Sequence, residues 1–348
     1  MKTKKAPKVA TSIRRASMLR RIAWRTKSTG NISFPAVPGL VDHYVGVLDA
    51  LFTAMGRPFT GNAAETCRAI LAEKIAWAFE RSHNSWVVVD WKTQQSPMNI
   101  SYTVTGWQRT IEESYAEWVE LRVPPLFGKH PDARVVDLAK TLGPPGEVTV
   151  LDVGAGTGRN ALPLAAEGYV VDALELAPAL VAQLEEAARE TKTDVRVVCG
   201  SFYDRMLVLP RERYRLVVLS EVCSHWRGQE DLRNVLVRVS ELVEPGGIGL
   251  FNVFLAHPGF RPNATERQFS EIAWCPIYTR QDVELASAGL PLSLIADEPA
   301  AEYEKSHGPK DEWPPTGWYV RWTSGSEVFD LPVTKSQFEM RWLTFRRE

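Results

Sequence analysis

The chain has 348 residues, 45% of them hydrophobic, with a formal net charge of −1, enough apolar sequence for two domains. Its four cysteines, Cys67, Cys199, Cys223 and Cys275, stand singly with no C-x-x-C pair. That argues against a zinc site or a disulfide framework and for reduced thiols in the cytoplasm. No apolar run approaches the roughly 18 residues of a membrane span, and no metal site is expected.

Near-neutrality conceals an asymmetry. Residues 1–29 carry ten bases (Lys2, Lys4, Lys5, Lys8, Arg14, Arg15, Arg20, Arg21, Arg25, Lys27) and no acid, so the remainder holds 31 bases against 42 acids and has no global reason to bind nucleic acid. Three readings of this basic tail stand open: a flexible solvated extension, a targeting segment, or an electrostatic arm for an acidic partner. From Leu40 to Met55 and from Asn62 to Arg81, apolar residues recur every three or four places, which predicts two amphipathic helices. Residues 85–90 and 100–105 read as short strands joined by a polar stretch ending at Pro97, and 108–121 as another helix. Trp77, Trp86, Trp91, Trp107 and Trp118 fall in this first third, where they either pack a small accessory or dimerisation domain or roof a substrate pocket. Pro124-Pro125 stops the chain, 130–142 gives one more helix, and Gly143-Pro144-Pro145-Gly146 is a stiff linker. The expected organisation is a basic tail (1–29), a mainly helical N-terminal domain (30–143) and a ligand-binding domain (144–348).

That last domain opens on VLDVGAGTGRNALPLAAEGYVVDALELAP, residues 150–178. The apolar run 148–153 has the character of a buried parallel strand; Gly154, Gly156 and Gly158 follow, then a helix over 160–167 and a second strand over 170–176, with Glu175 near its end. An acid about 20 residues past the first glycine is placed to grip a ribose. The dinucleotide fingerprint G-x-G-x-x-G puts its third glycine one place later than here. Asp152 also discriminates, because a carboxylate beside the glycines would repel a pyrophosphate and attract an ammonium. The segment resembles motif I, D-x-G-x-G-x-G, of the class I S-adenosylmethionine-dependent methyltransferases. The resemblance covers roughly residues 147–347. It implies a Rossmann-like, seven-stranded, mostly parallel sheet with an antiparallel last strand, and S-adenosylmethionine as cofactor. The implied cofactor-binding residues are Asp152, Gly154, Ala155, Gly156, Gly158, Glu175, Leu176, Ser201, Phe202 and Ser220. The family usually has an acid where this chain has Ser201, so either Ser201 or Asp204 is expected at the adenine amino group, with Phe202 over its face.

Further strands are expected over 195–199, 215–219 and 248–253, with helices over 179–190 and 231–243. The fourth strand ends in Ser220-Glu221-Val222-Cys223-Ser224-His225-Trp226-Arg227, which should face the sulfonium. This turn lacks the N/D-P-P-Y/F/W pattern common in methyltransferases acting on the exocyclic amines of bases or on glutamine amides. Residues 256–276 lose periodicity, as a lid or binding loop would; Thr279 caps a helix running to 288, 290–295 is a strand, a second irregular region follows, and 338–346 is the last strand, antiparallel beside the one before it.

Methyl transfer from a sulfonium is an in-line displacement, so holding the reactants in line in a dry pocket does most of the work. A hydroxyl or ammonium acceptor must lose a proton, and His225 is the first candidate base, Glu221 the second. A thioether acceptor needs no strong base. Trp226, Trp274, Tyr278 and Trp318 are candidates to face a cationic product, and Arg159, Arg227, Arg261 and Arg321 to bind a carboxylate. The expected substrate is a small molecule, of which methionine-like S-methylation of a zwitterion is one specific form and O- or N-methylation another; a homodimer fits the accessory domain. A nicotinamide oxidoreductase, an aminopropyltransferase and a non-catalytic cofactor-binding protein are the competing classes.

Overall fold

The computed structural model describes residues 9–95 and 98–348. Lys2, Lys4, Lys5, Lys8 and Pro97 lie outside the described residues. Two compact units divide between Gln108 and Arg109, ahead of the boundary that the Pro- and Gly-rich linker suggests.

In the first unit, helix α1 (Thr11–Arg25) occupies most of the segment read as an extension, followed by strand β1 (Thr29–Pro35). Helices α2 (Val41–Ala54) and α3 (Ala63–Arg81) bury Val41, Tyr44, Leu48 and Phe52, and Cys67, Leu71, Ile75 and Ala78, the three-to-four spacing read from the sequence. They pack on a three-stranded antiparallel sheet, β1–β2–β3, whose hairpin of β2 (Ser85–Gln95) and β3 (Met98–Gln108) is longer than the two short strands expected. Trp91 packs against this core, whereas Trp77, Trp86 and Trp107 are exposed.

The second unit begins with α4 (Ile111–Leu121) and α5 (Ala133–Thr141). Then come β4 (Thr149–Val153), α6 (Ala161–Ala166), β5 (Val170–Glu175), α7 (Pro178–Thr191), β6 (Val195–Cys199), β7 (Tyr214–Leu219), α8 (Gly228–Leu242) and β8 (Val243–Ala256). The region expected to be irregular instead holds α9 (Ala264–Ile272) and the two-residue β9 (Ile277–Tyr278), which pairs with β8. Asn263 and Glu266 form a capping box that starts α9, a signal present in the sequence as N-x-x-E. Next are α10 (Arg280–Ser287), started by the Thr279 capping box as expected, and β10 (Leu292–Pro299). The second irregular region contains α11 (Ala300–His307) and α12 (Tyr319–Thr323), and β11 (Phe338–Arg347) follows.

The sheet runs β10-β11-β8-β7-β4-β5-β6, with β9 added off that path. β4 to β8 are mutually parallel along the path, and β11 is antiparallel to both β8 and β10. This is the expected Rossmann-like arrangement with one small strand more than the seven foreseen. The strands are continuous apolar runs because helices cover both faces: β7 buries five of its six residues, and Leu216 to Leu219 are fully buried. From β4 the chain moves through β5 to β6 in one direction, then returns to lay β7 and β8 on the other side. The strand order therefore reverses between β4 and β7, where the carboxyl edge of such a sheet opens a crevice. Among the described residues no helix is long and apolar enough to cross a membrane.

Candidate functional site

At that crevice the turn after β4 is pinned to the neighbouring strand, since the amides of Gly154 and Ala155 both donate to the Leu174 carbonyl, at 2.8 and 3.1 Å. Gly154 has φ +69°, and a Cβ there would stand 2.6 Å from Val222 Cγ2, so backbone geometry and the β7 turn both require glycine. At Gly158 an added Cβ would lie 2.5 Å from Leu184 Cδ1 and 2.7 Å from Leu162 Cγ, a helix-packing role. Gly156 lies beneath Phe127, whose Cε2 is 3.2 Å from where a Cβ would be.

Two carboxylates flank this turn. Asp152 is 2% exposed; burial pushes its carboxyl up to about 7 against the opposing pull of Arg159, and its Oδ2 has no hydrogen-bond partner. Leaving such an oxygen unpaired in the interior is expensive unless a ligand completes it. An ammonium fits there, whereas a phosphate does not. Glu175 accepts from Gly156 N and Ala177 N, both at 2.8 Å, and burial raises its carboxyl above the ordinary range despite those donors. Each oxygen keeps lone-pair capacity for a ribose hydroxyl. The residues present thus fit S-adenosylmethionine at both its amino-acid end and its ribose.

Of the other residues expected around the cofactor, Ala155 and Phe202 are buried and Leu176 is half-buried. Ser201 Oγ accepts from Tyr203 N at 3.2 Å, and Asp204 Oδ1 accepts from Met206 N at 2.8 Å, so each side chain already serves its own turn. Ser220 Oγ donates to Asp132 Oδ2 at 2.6 Å.

That aspartate, which no local motif singles out, is the centre of a buried network. Arg159 reaches Asp132 Oδ1 at 2.5 Å and Oδ2 at 3.1 Å and Glu221 Oε1 at 2.9 Å, while Asn160 Nδ2 donates to Asp132 Oδ2 at 3.0 Å. Burial alone would lower the guanidinium; Asp132 and Glu221 carry it above its usual value instead. Burial raises the Glu221 carboxyl to about 7, with Arg159 opposing. Glu221 also sits at φ +61°, a left-handed conformation held by its amide donating to Asn252 Oδ1 at 2.8 Å. Arg159 is therefore committed internally.

His225 lies in an aromatic setting built by three elements. Its Nε2 is 2.8 Å from the Tyr115 hydroxyl on α4, and the ring meets Tyr115 and Trp274 edge-on at 5.6 and 5.3 Å between centroids. Burial drives the imidazole down to about 4 and raises the Tyr115 phenol, so both are neutral at neutral pH. Trp274 is half-buried at φ +60°, and its carbonyl accepts from Trp322 Nε1 at 3.0 Å.

The remaining expected substrate residues are dispersed. Trp226 is fully buried against Phe251, and Tyr278 is buried with its hydroxyl donating to the Gly228 carbonyl at 2.9 Å. Arg227 pairs with Glu271 at 3.1 Å and Arg321 with Glu327 at 2.6 Å, while Arg261 donates to its neighbour's carbonyl, Phe260 O, at 3.0 Å. Trp318 packs on Trp322 and lines a separate cleft with Arg122, Lys129 and Trp313. Sequence reasoning missed Tyr115, Phe127, Asp132 and Asn252. None of them carried a local signal: Asp132, which stands just before α5, falls inside the segment read as a helix over 130–142.

Residues 150–247 match the family model described as a methyltransferase domain. No curated protein matches the chain. A solved structure of geranyl diphosphate C-methyltransferase from Streptomyces coelicolor, in complex with Mg2+, geranyl diphosphate and S-adenosyl-L-homocysteine, shares 16% identity at a TM-score of 0.51, covering 69% of this chain and 98% of that one. The same enzyme with geranyl-S-thiolodiphosphate gives 15% identity, a TM-score of 0.51 and coverage of 69% and 99%. A putative sarcosine dimethylglycine methyltransferase from Galdieria sulphuraria is 15% identical, with a TM-score of 0.48 and coverage of 62% and 84%. The Asp152 Oδ2 left without a partner, the Gly-rich turn that residue flanks and the matched family model agree: the chain carries a class I S-adenosylmethionine-dependent methyltransferase domain and is an enzyme of that kind.

Proposed function

We propose that the enzyme methylates a small molecule at a nucleophile that needs no strong base, a thioether being the form that fits best. The observation carrying this reading is the state of His225: its pKa of about 4 makes it a weak proton acceptor, and its Nε2 already faces the Tyr115 hydroxyl. The cofactor supplies an electrophilic methyl group on a sulfonium. Trp274 and Tyr115 would present aromatic faces to a cationic product, worth about 0.5–2 kcal/mol for a desolvated cation. His225 would orient the acceptor, and Asp152 and Glu175 would bind the cofactor's ammonium and ribose. The arginines expected to clamp a carboxylate are mostly committed to Asp132, Glu221, Glu271 and Glu327, which supports recognition of the acceptor by shape and aromatic contact.

A second reading, O- or N-methylation with His225 as base, draws on the same 2.8 Å contact, through which Tyr115 could relay the proton. One experiment separates them. Labelled methyl donor is incubated with enzyme and cell extract, the labelled small molecule is isolated, and His225→Ala and Tyr115→Phe are assayed on it. For a thioether both variants keep kcat within about tenfold and its pH profile is flat from 6 to 9. A loss of about 10² to 10⁴-fold with a new pH dependence would establish the base-assisted reaction instead. Label in protein or nucleic acid alone would overturn both.

Gly154→Val should abolish cofactor binding. It forces a β-branched residue to φ +69° and into Val222, costing about 1–3 kcal/mol in strain and a similar amount in overpacking. Calorimetry on the folded variant, checked by circular dichroism, tests this; wild-type affinity would remove the turn from the cofactor site.

A further inference from the structure

Helix α1 buries none of its 15 residues, yet its foot is fixed. Arg57, itself buried, donates to the carbonyls of Met55 at 2.8 Å, Trp24 at 3.2 Å, Gln94 at 3.3 Å and Thr26 at 3.4 Å. One guanidinium thus gathers carbonyls from the end of α1 and from the β2 strand, a favourable place for a cation. The rest of the helix stands in solvent with an unusual surface. Ile13, Met18, Leu19, Ile22 and Trp24 are 44–59% exposed. Arg14, Arg15, Arg20, Arg21 and Arg25 share the helix, Arg21 lying 5.0 Å from the Trp24 ring, and no acid accompanies them. At about 100° per residue, Ala16, Leu19 and Ala23 centre one side, with Arg20 toward its margin and Ile13 and Trp24 just beyond. Arg14, Arg21 and Arg25 centre the opposite side, and Met18 and Ile22 lie between them and Arg15.

We infer that α1 is a docking element for an anionic lipid surface. A bilayer interface is the one partner that satisfies both parts of this surface at once: anionic headgroups take the arginines, whose long stems let the charge reach outward, and the acyl boundary takes the apolar side chains. A nucleic acid would use the charge and leave five large apolar side chains in water. A second copy would bring two acid-free helices together. The remainder of the chain, with 31 bases against 42 acids, is repelled by such a surface, a repulsion that salt screens over about 8–10 Å. Lys27 and the four lysines before residue 9 add to the same attraction.

The test uses the full chain and sedimentation with vesicles of phosphatidylcholine alone or mixed with phosphatidylglycerol. Binding is expected to the mixed vesicles only, and to weaken as salt rises. Arg14→Ser, Arg21→Ser and Arg25→Ser together should lower it by about a hundredfold, about fivefold for each charge. Leu19→Gln with Ile22→Gln should lower it tenfold or more at unchanged charge and with no loss of helix propensity. Cofactor affinity, read in parallel by calorimetry, should be unchanged in all variants and shows that each is folded. Equal binding to the two vesicle types, or none to either, overturns the proposal. So does full binding by the Leu19/Ile22 variant, which would leave charge alone as the cause, or an α1-dependent dimer in sedimentation without lipid.

Discussion

Asp152→Asn is expected to raise the melting temperature and at the same time weaken cofactor binding by about ten- to a hundredfold, the loss of one ionic contact of roughly 1–3 kcal/mol. The two effects have opposite signs because they share a cause. Asp152 is held in the interior with Oδ2 unpaired and its pKa lifted from 3.8 to about 7. Where a folded-state carboxyl is raised above its unfolded value, ionising it costs stability. That cost is absent below pH ~4, grows by about 1.4 kcal/mol per pH unit toward pH 7 and levels off above it. Asparagine removes this part of the pH dependence. Binding follows the reverse direction: with the cofactor ammonium on this carboxylate, as proposed, wild-type affinity should fall about tenfold per pH unit below 7, and the variant's should not. Thermal melts and calorimetry at pH 5, 6, 7 and 8 check both halves. Parallel pH profiles for the two proteins would place the ammonium elsewhere.

The largest stability effect belongs to Arg159→Ala. Arg159 is the cation between Asp132 and Glu221, with side-chain exposures of 9, 4 and 14%. Removing it leaves two carboxylates facing each other in the interior, at a cost of about 3–5 kcal/mol. For a unit of this size that corresponds to a fall of roughly 10 °C in melting temperature. Adding Asp132→Asn and Glu221→Gln should recover most of it by removing the charges the arginine had balanced. Denaturant unfolding of the single and triple variants is the measurement; a single-variant loss under about 1 kcal/mol would mean that water reaches the network.

These two sites were legible to very different degrees. Asp152, the glycines and Glu175 lie within 24 consecutive residues of one strand-turn-helix-strand unit, so spacing alone conveys their geometry. The alternation of apolar runs gave the parallel strands for the same reason. Asp132 meets Arg159 and Ser220 across 27 and 88 residues, and Tyr115 meets His225 across 110. Contacts of that kind are made by the sheet's topology and leave no local period. The short elements α11 and α12 and the two-residue β9 were lost because a helix of five to eight residues or a strand of two offers too few repeats to read. Where a cap was present, at Thr279, the helix start was found; at Asn263 the same signal was there in an aromatic- and arginine-rich stretch read as loop.

β11 is made after β10 yet lies inside it, hydrogen-bonded to β8 on one flank and β10 on the other. During synthesis β10 can therefore exist before it has any neighbour to hold it, while the open flank of β8 leaves the ring of Phe251 without Phe345 stacked on it. A ribosome paused before Phe338 would thus display an unclosed, sticky ribbon, and this is the interval in which a chaperone should be found on the nascent polypeptide.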